Sequence, residues 1–130
     1  MKTLVVYYSK TGTTKRVADS IIASKDCDFD ELVYNEKEKS IESVRNPLDY
    51  EHIILLSPVW AFSLAEPMKI YIEKNKSDIK QYGLIVTCGV FGLRGCVKNC
   101  LSVIGRPPKN ALIFKAKQVK RGNFDISAVL

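Results

Sequence analysis

Short apolar runs recur along the chain at fairly even spacing, and several of the segments between them repeat their apolar positions with a helical period. Thr3-Leu4-Val5-Val6-Tyr7-Tyr8 is a β-branched and aromatic run, short enough for a buried strand. Thr13 or Thr14 is placed to cap a helix whose apolar positions Val17, Ala18, Ile21 and Ile22 form one stripe. Phe29 to Tyr34 reads as a second, partly exposed strand. The polar stretch from Asn35 to Arg45 predicts at most a short helix, ended by Asn46-Pro47. His52-Ile53-Ile54-Leu55-Leu56 is a third, wholly apolar strand, stopped by Ser57-Pro58. Pro67 suits the first turn of the next helix, where Leu64, Met68, Tyr71 and Ile72 share a face. Tyr82 to Thr87, Gly95 to Ile104 and Ala111 to Phe114 complete the pattern as strand, helix and strand.

Strands that are apolar along their whole length are covered on both faces, which indicates a mostly parallel sheet. With helical crossovers between strands, the expected architecture is a doubly wound α/β fold, one domain over residues 1–130. In such sheets ligands bind at the carboxyl ends of the strands, where the strand order reverses. Residues 9–14, 57–64 and 87–95 lie just past the first, third and fourth strands.

Charge adds a second asymmetry. Residues 1–65 hold 8 basic and 10 acidic side chains, net −2, whereas residues 66–130 hold 12 and 4, net +8. Between Lys80 and Phe124 there is no carboxylate. A basic surface of this kind attracts anionic cofactors or acidic proteins. No interleaving of aromatic and basic residues suggests a nucleic-acid platform. No apolar run is long enough to span a bilayer, and the first residues do not form a leader, so a cytoplasmic location is expected. Cys27, Cys88, Cys96 and Cys100 form no C-x-x-C pair and read as reduced thiols; Cys96 and Cys100 have no nearby His or acid with which to bind a metal. His52, the single histidine, reads as structural.

The three loops suggest a ligand. Ser9, Thr11, Thr13 and Thr14 offer hydroxyls around Gly12 at the start of a helix, with Lys10 adding a charge. Helix N-termini favour anions through unpaired N–H groups and the helix dipole, and phosphate is the simplest such anion. Neither a Walker loop nor a G-x-G-x-x-G fingerprint is present. Pro58-Val59-Trp60-Ala61-Phe62 places two aromatic rings beyond a strand end, a usual means of holding a planar ligand. Thr87-Cys88-Gly89-Val90-Phe91-Gly92, followed by Gly95, combines an aromatic ring with glycines that let a backbone approach closely. Phe91 is placed to face a flat ring opposite Trp60. A cap cluster without a ligand, rings that plug the core and a mobile connection are the plainer alternatives. Taken together, the loops describe a ligand with one phosphate and a large planar ring, for which flavin mononucleotide (FMN) is the candidate.

The segments "LVVYYSKTGTTKRVA" and "YEHIILLSPVWAFSLAEPMKIYIE" resemble the flavodoxin family, in matching order from Lys2 to about Phe114. That family's S/T-x-T-G-x-T phosphate loop appears as Ser9-Lys10-Thr11-Gly12-Thr13-Thr14, and its SPVW turn as Ser57-Pro58-Val59-Trp60. The resemblance implies a five-stranded parallel sheet of order 2-1-3-4-5 with helices on both faces. It implies that Ser9, Thr11, Gly12, Thr13 and Thr14 hold the FMN phosphate. Pro58, Val59, Trp60 and Ala61 would then line one side of the ring, and Thr87, Cys88, Gly89, Val90 and Phe91 the other. It implies an electron carrier between redox partners, with an FMN-dependent NAD(P)H or quinone oxidoreductase as the alternative.

Two departures qualify the likeness. After the fifth strand, Lys120 to Leu130 is too short for a full closing helix, so one sheet face is expected to be incompletely covered, and a homodimer or partner is expected to bury it. The basic half suggests acidic redox partners or NAD(P)H. Two rival readings are a cofactor-free interaction module and a cysteine phosphatase, because Cys88 and Arg94 read C-x5-R. Against the phosphatase, Thr87 replaces the usual His and Gly95 the following Ser/Thr. A receiver domain is set aside because the first strand ends without an acidic cluster. With Arg94 beside the ring in place of carboxylates, reduced anionic flavin is expected to form more easily than in an acidic carrier. Spectroelectrochemistry should show a less negative final couple than acidic carriers have; a strongly negative one contradicts this reading.

Overall fold

The computed structural model describes residues 2–130. Its central sheet follows the order β2-β1-β5-β7-β8, with strands β1 (Thr3–Tyr7), β2 (Asp28–Glu31), β5 (His52–Trp60), β7 (Gln81–Cys88) and β8 (Ala111–Lys115) all parallel. This is the expected order. The alternation of side chains explains why β1, β5 and β7 are apolar on both faces: Leu4, Val6, Ile53, Leu55, Leu84 and Val86 face one side, while Val5, Tyr7, Ile54, Leu56 and Ile85 face the other. Helices α2 (Glu66–Asn75) and α3 (Leu93–Ile104) cover the first face through Met68, Tyr71, Ile72, Cys96, Cys100 and Ile104. Helix α1 (Thr13–Ser24) covers the second through Val17, Ala18 and Ile21, together with the chain's last segment.

Several elements differ from the sequence expectation. The segment from Phe29 to Tyr34 is not one strand: Leu32 interrupts it, and strand β3 (Val33–Asn35) turns away to pair antiparallel with β4 (Ser40–Glu42). The polar stretch is thus a small hairpin and not a helix. Buried Asp30 holds its far end, accepting hydrogen bonds from the N–H groups of Val44 (3.1 Å) and Arg45 (3.0 Å).

Strand β5 does not stop at Ser57-Pro58 but runs on to Trp60 and folds back as the two-residue strand β6 (Ser63–Leu64). Pro58 is tolerated because the pairing with β1 has ended at Leu56, and its carbonyl accepts from the Ala65 N–H at 3.2 Å. Buried Ser57 also accepts from that N–H, at 3.1 Å, which fixes where α2 begins.

The C-terminus also differs. A short helix, α4 (Ala116–Lys120), follows β8 directly. It and the remaining chain fold back so that Val119, Phe124, Ile126 and Val129 pack on the face expected to be bare. Lys25 Nζ donates to the Leu130 carbonyl at 2.9 Å and Asn110 Nδ2 to that of Ala128 at 2.8 Å. The reason for expecting a homodimer there falls away.

The hairpin between β5 and β6 presses closely on the start of α3. A Cβ built on Gly95 would lie 1.8 Å from the Phe62 carbonyl oxygen, and one on Gly92 2.4 Å from Val59 Cγ1. Glycine normally weakens a helix relative to alanine; here the side-chain-free position is what lets the hairpin dock. Gly95→Ala is therefore expected to destabilise the fold by about 1–3 kcal/mol, the usual cost of overpacking, despite its better helix propensity. Urea denaturation checks this, and an unchanged or raised midpoint contradicts it.

Candidate functional site

The carboxyl ends of β1, β5 and β7 bring the three loops together, and each pair of loops is joined by a contact. Thr14, at the start of α1, shares a 2.8 Å hydroxyl hydrogen bond with Thr87 at the end of β7. Trp60 meets Tyr8 edge-on, with centroids 5.6 Å apart, and the Lys10 ammonium lies 5.6 Å from the indole centroid. Phe62 stacks on Phe91 at 5.1 Å with an interplanar angle of 21°.

In the first loop, Gly12 precedes the helix with φ 96°, a left-handed conformation that glycine adopts without cost. No side chain caps the helix. The N–H groups of Thr13, Thr14 and Lys15 therefore lack the partners a preceding turn would supply. Ser9 Oγ accepts from the Gly12 N–H at 3.1 Å, which curls the loop, and Thr11 Oγ1 and Thr13 Oγ1 lie 3.4 Å apart. Thr13 or Thr14 was expected to cap α1; both instead lie inside it, and Thr14 is buried, with its hydroxyl turned to Thr87. Ser9, Lys10, Thr11, Gly12 and Thr13 are the members of the loop that solvent reaches.

Lys10 lies over Trp60, and further positive charge stands beside this loop. Arg16, Lys117 and Lys120 line a cleft of about 390 Å³ together with Thr11, Gly12 and Thr13. Arg16 also donates to the Lys120 carbonyl at 3.0 Å, tying α1 to α4. Lys117 and Lys120 carry no sequence signal of their own because they follow the last strand in a segment without an apolar run, and Arg16 reads only as an exposed position of α1. The apolar Val119, buried between Lys117 and Lys120, was the available signal.

A second cleft, of about 350 Å³, is lined by Val59, Ala61, Phe62, Cys88, Gly89, Val90 and Phe91. It joins the second and third loops as expected. Trp60, however, lines a separate cleft with Tyr8, Lys10, Tyr34 and Glu36. Phe91 thus pairs with Phe62 and does not oppose Trp60. Gly92 faces Val59, and Gly95 the Phe62 carbonyl, so these two glycines serve packing; Gly89 has open space around it. A larger groove of about 540 Å³ between α2 and α3 contains none of the loop residues.

The turn at Ala61-Phe62 is strained. Both residues have positive φ, 51° and 64°, as a two-residue hairpin of right-handed twist requires, yet neither is glycine or asparagine. Each costs about 1–2 kcal/mol in that region. The hairpin is held in return by the Leu64 N–H, which donates to Asn99 Oδ1 at 2.9 Å, and by the docking on α3.

A family model described as the flavodoxin domain matches residues 4–122. The chain belongs to the flavodoxin domain family. Solved structures agree on the fold of this flavodoxin-domain chain. A flavoprotein from Lactobacillus acidophilus, solved in complex with FMN, superposes with a TM-score of 0.76 at 21% identity, covering 92% of this chain and 97% of that one. A flavodoxin from the domain Archaea gives 0.62 at 21% identity, with 99% and 98% covered. The FMN-bound flavodoxin of Fusobacterium nucleatum gives 0.56 at 19%, with 85% and 68% covered. No curated protein matches the sequence. Among the described residues, no group of three or more potential ligands could hold a metal ion, and no helix is long and apolar enough to cross a membrane.

The same geometry opposes the phosphatase reading. Cys88 is 8% exposed, and burial pushes its thiol above the ordinary range, against a smaller opposing influence from Lys115. A phosphatase nucleophile needs the reverse, a depressed thiol. Burial pushes Cys96 and Cys100 up to about 12. The folded chain therefore keeps these protons where an unfolded chain loses them, from about pH 8.5 upward. Their stabilising effect is complete below that pH and lost as pH rises toward the folded values. The urea midpoint is expected to fall progressively in that alkaline window, and Cys88 to be alkylated by iodoacetamide at neutral pH more slowly than free cysteine. Faster alkylation would restore the C-x5-R reading.

Proposed function

We propose that this chain binds one FMN across the three loops and carries electrons between redox partners. The observation that supports this most directly is the uncapped start of α1, with Gly12 in its left-handed conformation and the Ser9, Thr11 and Thr13 hydroxyls around it, one contact away from an apolar cleft bounded by two aromatic rings. The residues present fit the group. Free N–H groups and neutral hydroxyls suit a phosphate dianion, and Arg16, Lys117 and Lys120 supply charge nearby. Val59, Ala61, Cys88, Gly89 and Val90 offer the apolar surface a flat ring needs. Relatives of the same fold whose structures contain FMN point the same way.

When bound, the flavin supplies the redox chemistry, and the protein supplies position and electrostatics. Cys88 is the one ionisable side chain lining the ring cleft, and its proton is held tightly. That lining suits the passage of electrons better than proton transfer to a substrate. An FMN-dependent oxidoreductase using NAD(P)H is the second reading, favoured by the cationic Arg16, Lys117 and Lys120 cluster, which suits a phosphorylated reductant. Steady NAD(P)H oxidation by the purified protein would favour it.

FMN added to the protein should lose its fluorescence on binding. Replacing Thr11 and Thr13 by alanine removes hydrogen bonds to a charged group, each worth about 1.5–3 kcal/mol, so FMN affinity should fall by roughly tenfold or more per residue. Riboflavin, which lacks the phosphate, should bind wild type and variant alike. If saturating FMN leaves both its own and the Trp60 fluorescence unchanged, the reading fails.

A further inference from the structure

The end of the molecule that carries the loops also carries an apolar tip within a field of one sign. Phe62, Val90 and Phe91 are 62%, 69% and 61% exposed. Large apolar side chains forgo about 25 cal/mol per Å² when left in water, and a contiguous exposed group of them marks an interaction site. The 5.1 Å stacking of Phe62 on Phe91 makes the two rings one surface. Beside them runs an open, shallow groove of about 510 Å³, lined by Leu93, Gly95 and Ile113 with Arg94 and Lys98 along its margin. Lys115 ends β8 opposite Cys88, next to the same loop. The three salt bridges among the described residues involve none of these cations. The chain supplies no carboxylate from Lys80 to Phe124, and so none from β7, the third loop, α3, β8 or α4.

An apolar centre inside a charged margin is the usual anatomy of a protein interface, and margin charges of one sign select and steer a partner of the opposite sign. We propose that the Phe62–Phe91 tip, with Arg94, Lys98 and Lys115 around it, is the docking surface for an acidic redox protein. An apolar side chain of the partner seats on the stacked rings, and its carboxylates meet the three cations. The location beside the ring cleft, and hence the word redox, rests on the FMN reading above. A small anion is a poorer occupant, because the groove leaves it largely in water. A nucleic acid is poorer still, because base stacking needs free ring faces and Phe62 and Phe91 spend one face each on the other.

The test uses the full chain, isotopically labelled, with and without saturating FMN. It is titrated with a short synthetic peptide of glutamates flanking a single leucine. Amide resonances of Phe62, of residues 90–98 and of Lys115 should shift together, and the affinity should fall with added salt. Arg94→Glu combined with Lys98→Glu, both at exposed positions, should weaken the peptide by about tenfold or more while the melting temperature stays near wild type. Replacing the leucine by glycine should weaken it as well. Absence of shifts, or equal shifts with a lysine peptide, overturns the proposal. So does tighter binding at these residues by an oligothymidylate or by tripolyphosphate, which would assign the surface to nucleic acid or to small polyanions. The readout needs no flavin. Peptide shifts in a protein that ignores FMN would leave the acidic-partner surface standing and remove the flavin reading, and FMN binding without peptide shifts would do the reverse.

Discussion

A parallel sheet places the carboxyl ends of all its strands along one edge, and the candidate site depends on that constraint. β1, β5 and β7 are neighbours in the sheet although residues 8–51 separate the first two along the chain. The segments that leave them have no choice but to emerge side by side. Burial on both faces supplies the driving force. Each strand contributes alternate residues to two separate cores, so a slip of one residue in register would exchange the two sets and leave α1 and α3 facing the wrong side chains. The 2.8 Å hydrogen bond between Thr14 and Thr87 is possible because that register is held.

Within this frame the β5–β6 hairpin is the costly element. Ala61 and Phe62 occupy a backbone region their side chains disfavour, and strain of that kind persists only where its surroundings over-determine it. Here they do. The Phe62 carbonyl sits in a space that only a residue without Cβ leaves open, Asn99 of α3 holds Leu64, and the Phe62 ring leans on Phe91. The consequence is a rigid ridge between the ring cleft and the groove beside α3. The exposed Phe62 ring is carried on backbone anchored by these contacts, so its exposure does not reflect a loosely placed loop.

The sheet and the three loops were legible in the sequence because both follow from local signals: wholly apolar runs for covered strands, hydroxyls and Gly12 for the start of α1, and Pro67 for the start of α2. What was not legible depends on contacts between distant segments. No local pattern says that Gly92 and Gly95 make room for Val59 and Phe62, so they read as ligand-facing glycines. Nor does one say that Thr14 is spent on Thr87, or that Phe91 finds Phe62 before it finds a ring opposite Trp60. The β3–β4 hairpin was hidden for a different reason: its strands are only three residues long with one half-buried residue each, Tyr34 and Ile41, and its far end depends on hydrogen bonds to Asp30. The short α4 was missed because its one buried anchor, Val119, lies among lysines and makes no apolar run.

The uneven charge of the sequence acquires its meaning from the strand order. Since the order is β2-β1-β5-β7-β8, the chain's first third builds one edge of the sheet and its last third the other. A net −2 over residues 1–65 and +8 over residues 66–130 thereby become a separation of charge across the molecule, from the β2 and β3–β4 side to the β8 and α4 side. The three loops lie between, with Glu36 near Trp60 on one flank and Arg94, Lys98 and Lys115 on the other. At physiological ionic strength a field of this kind reaches about 8 Å before it is screened, so an approaching charged protein feels it before contact. Such a gradient orients the encounter as well as attracting it. An acidic body is drawn toward the flank where Phe62 and Phe91 are exposed and away from the one where Trp60 is covered by Tyr8 and Lys10. The topology that gathers the loops thus also decides which of their flanks is basic.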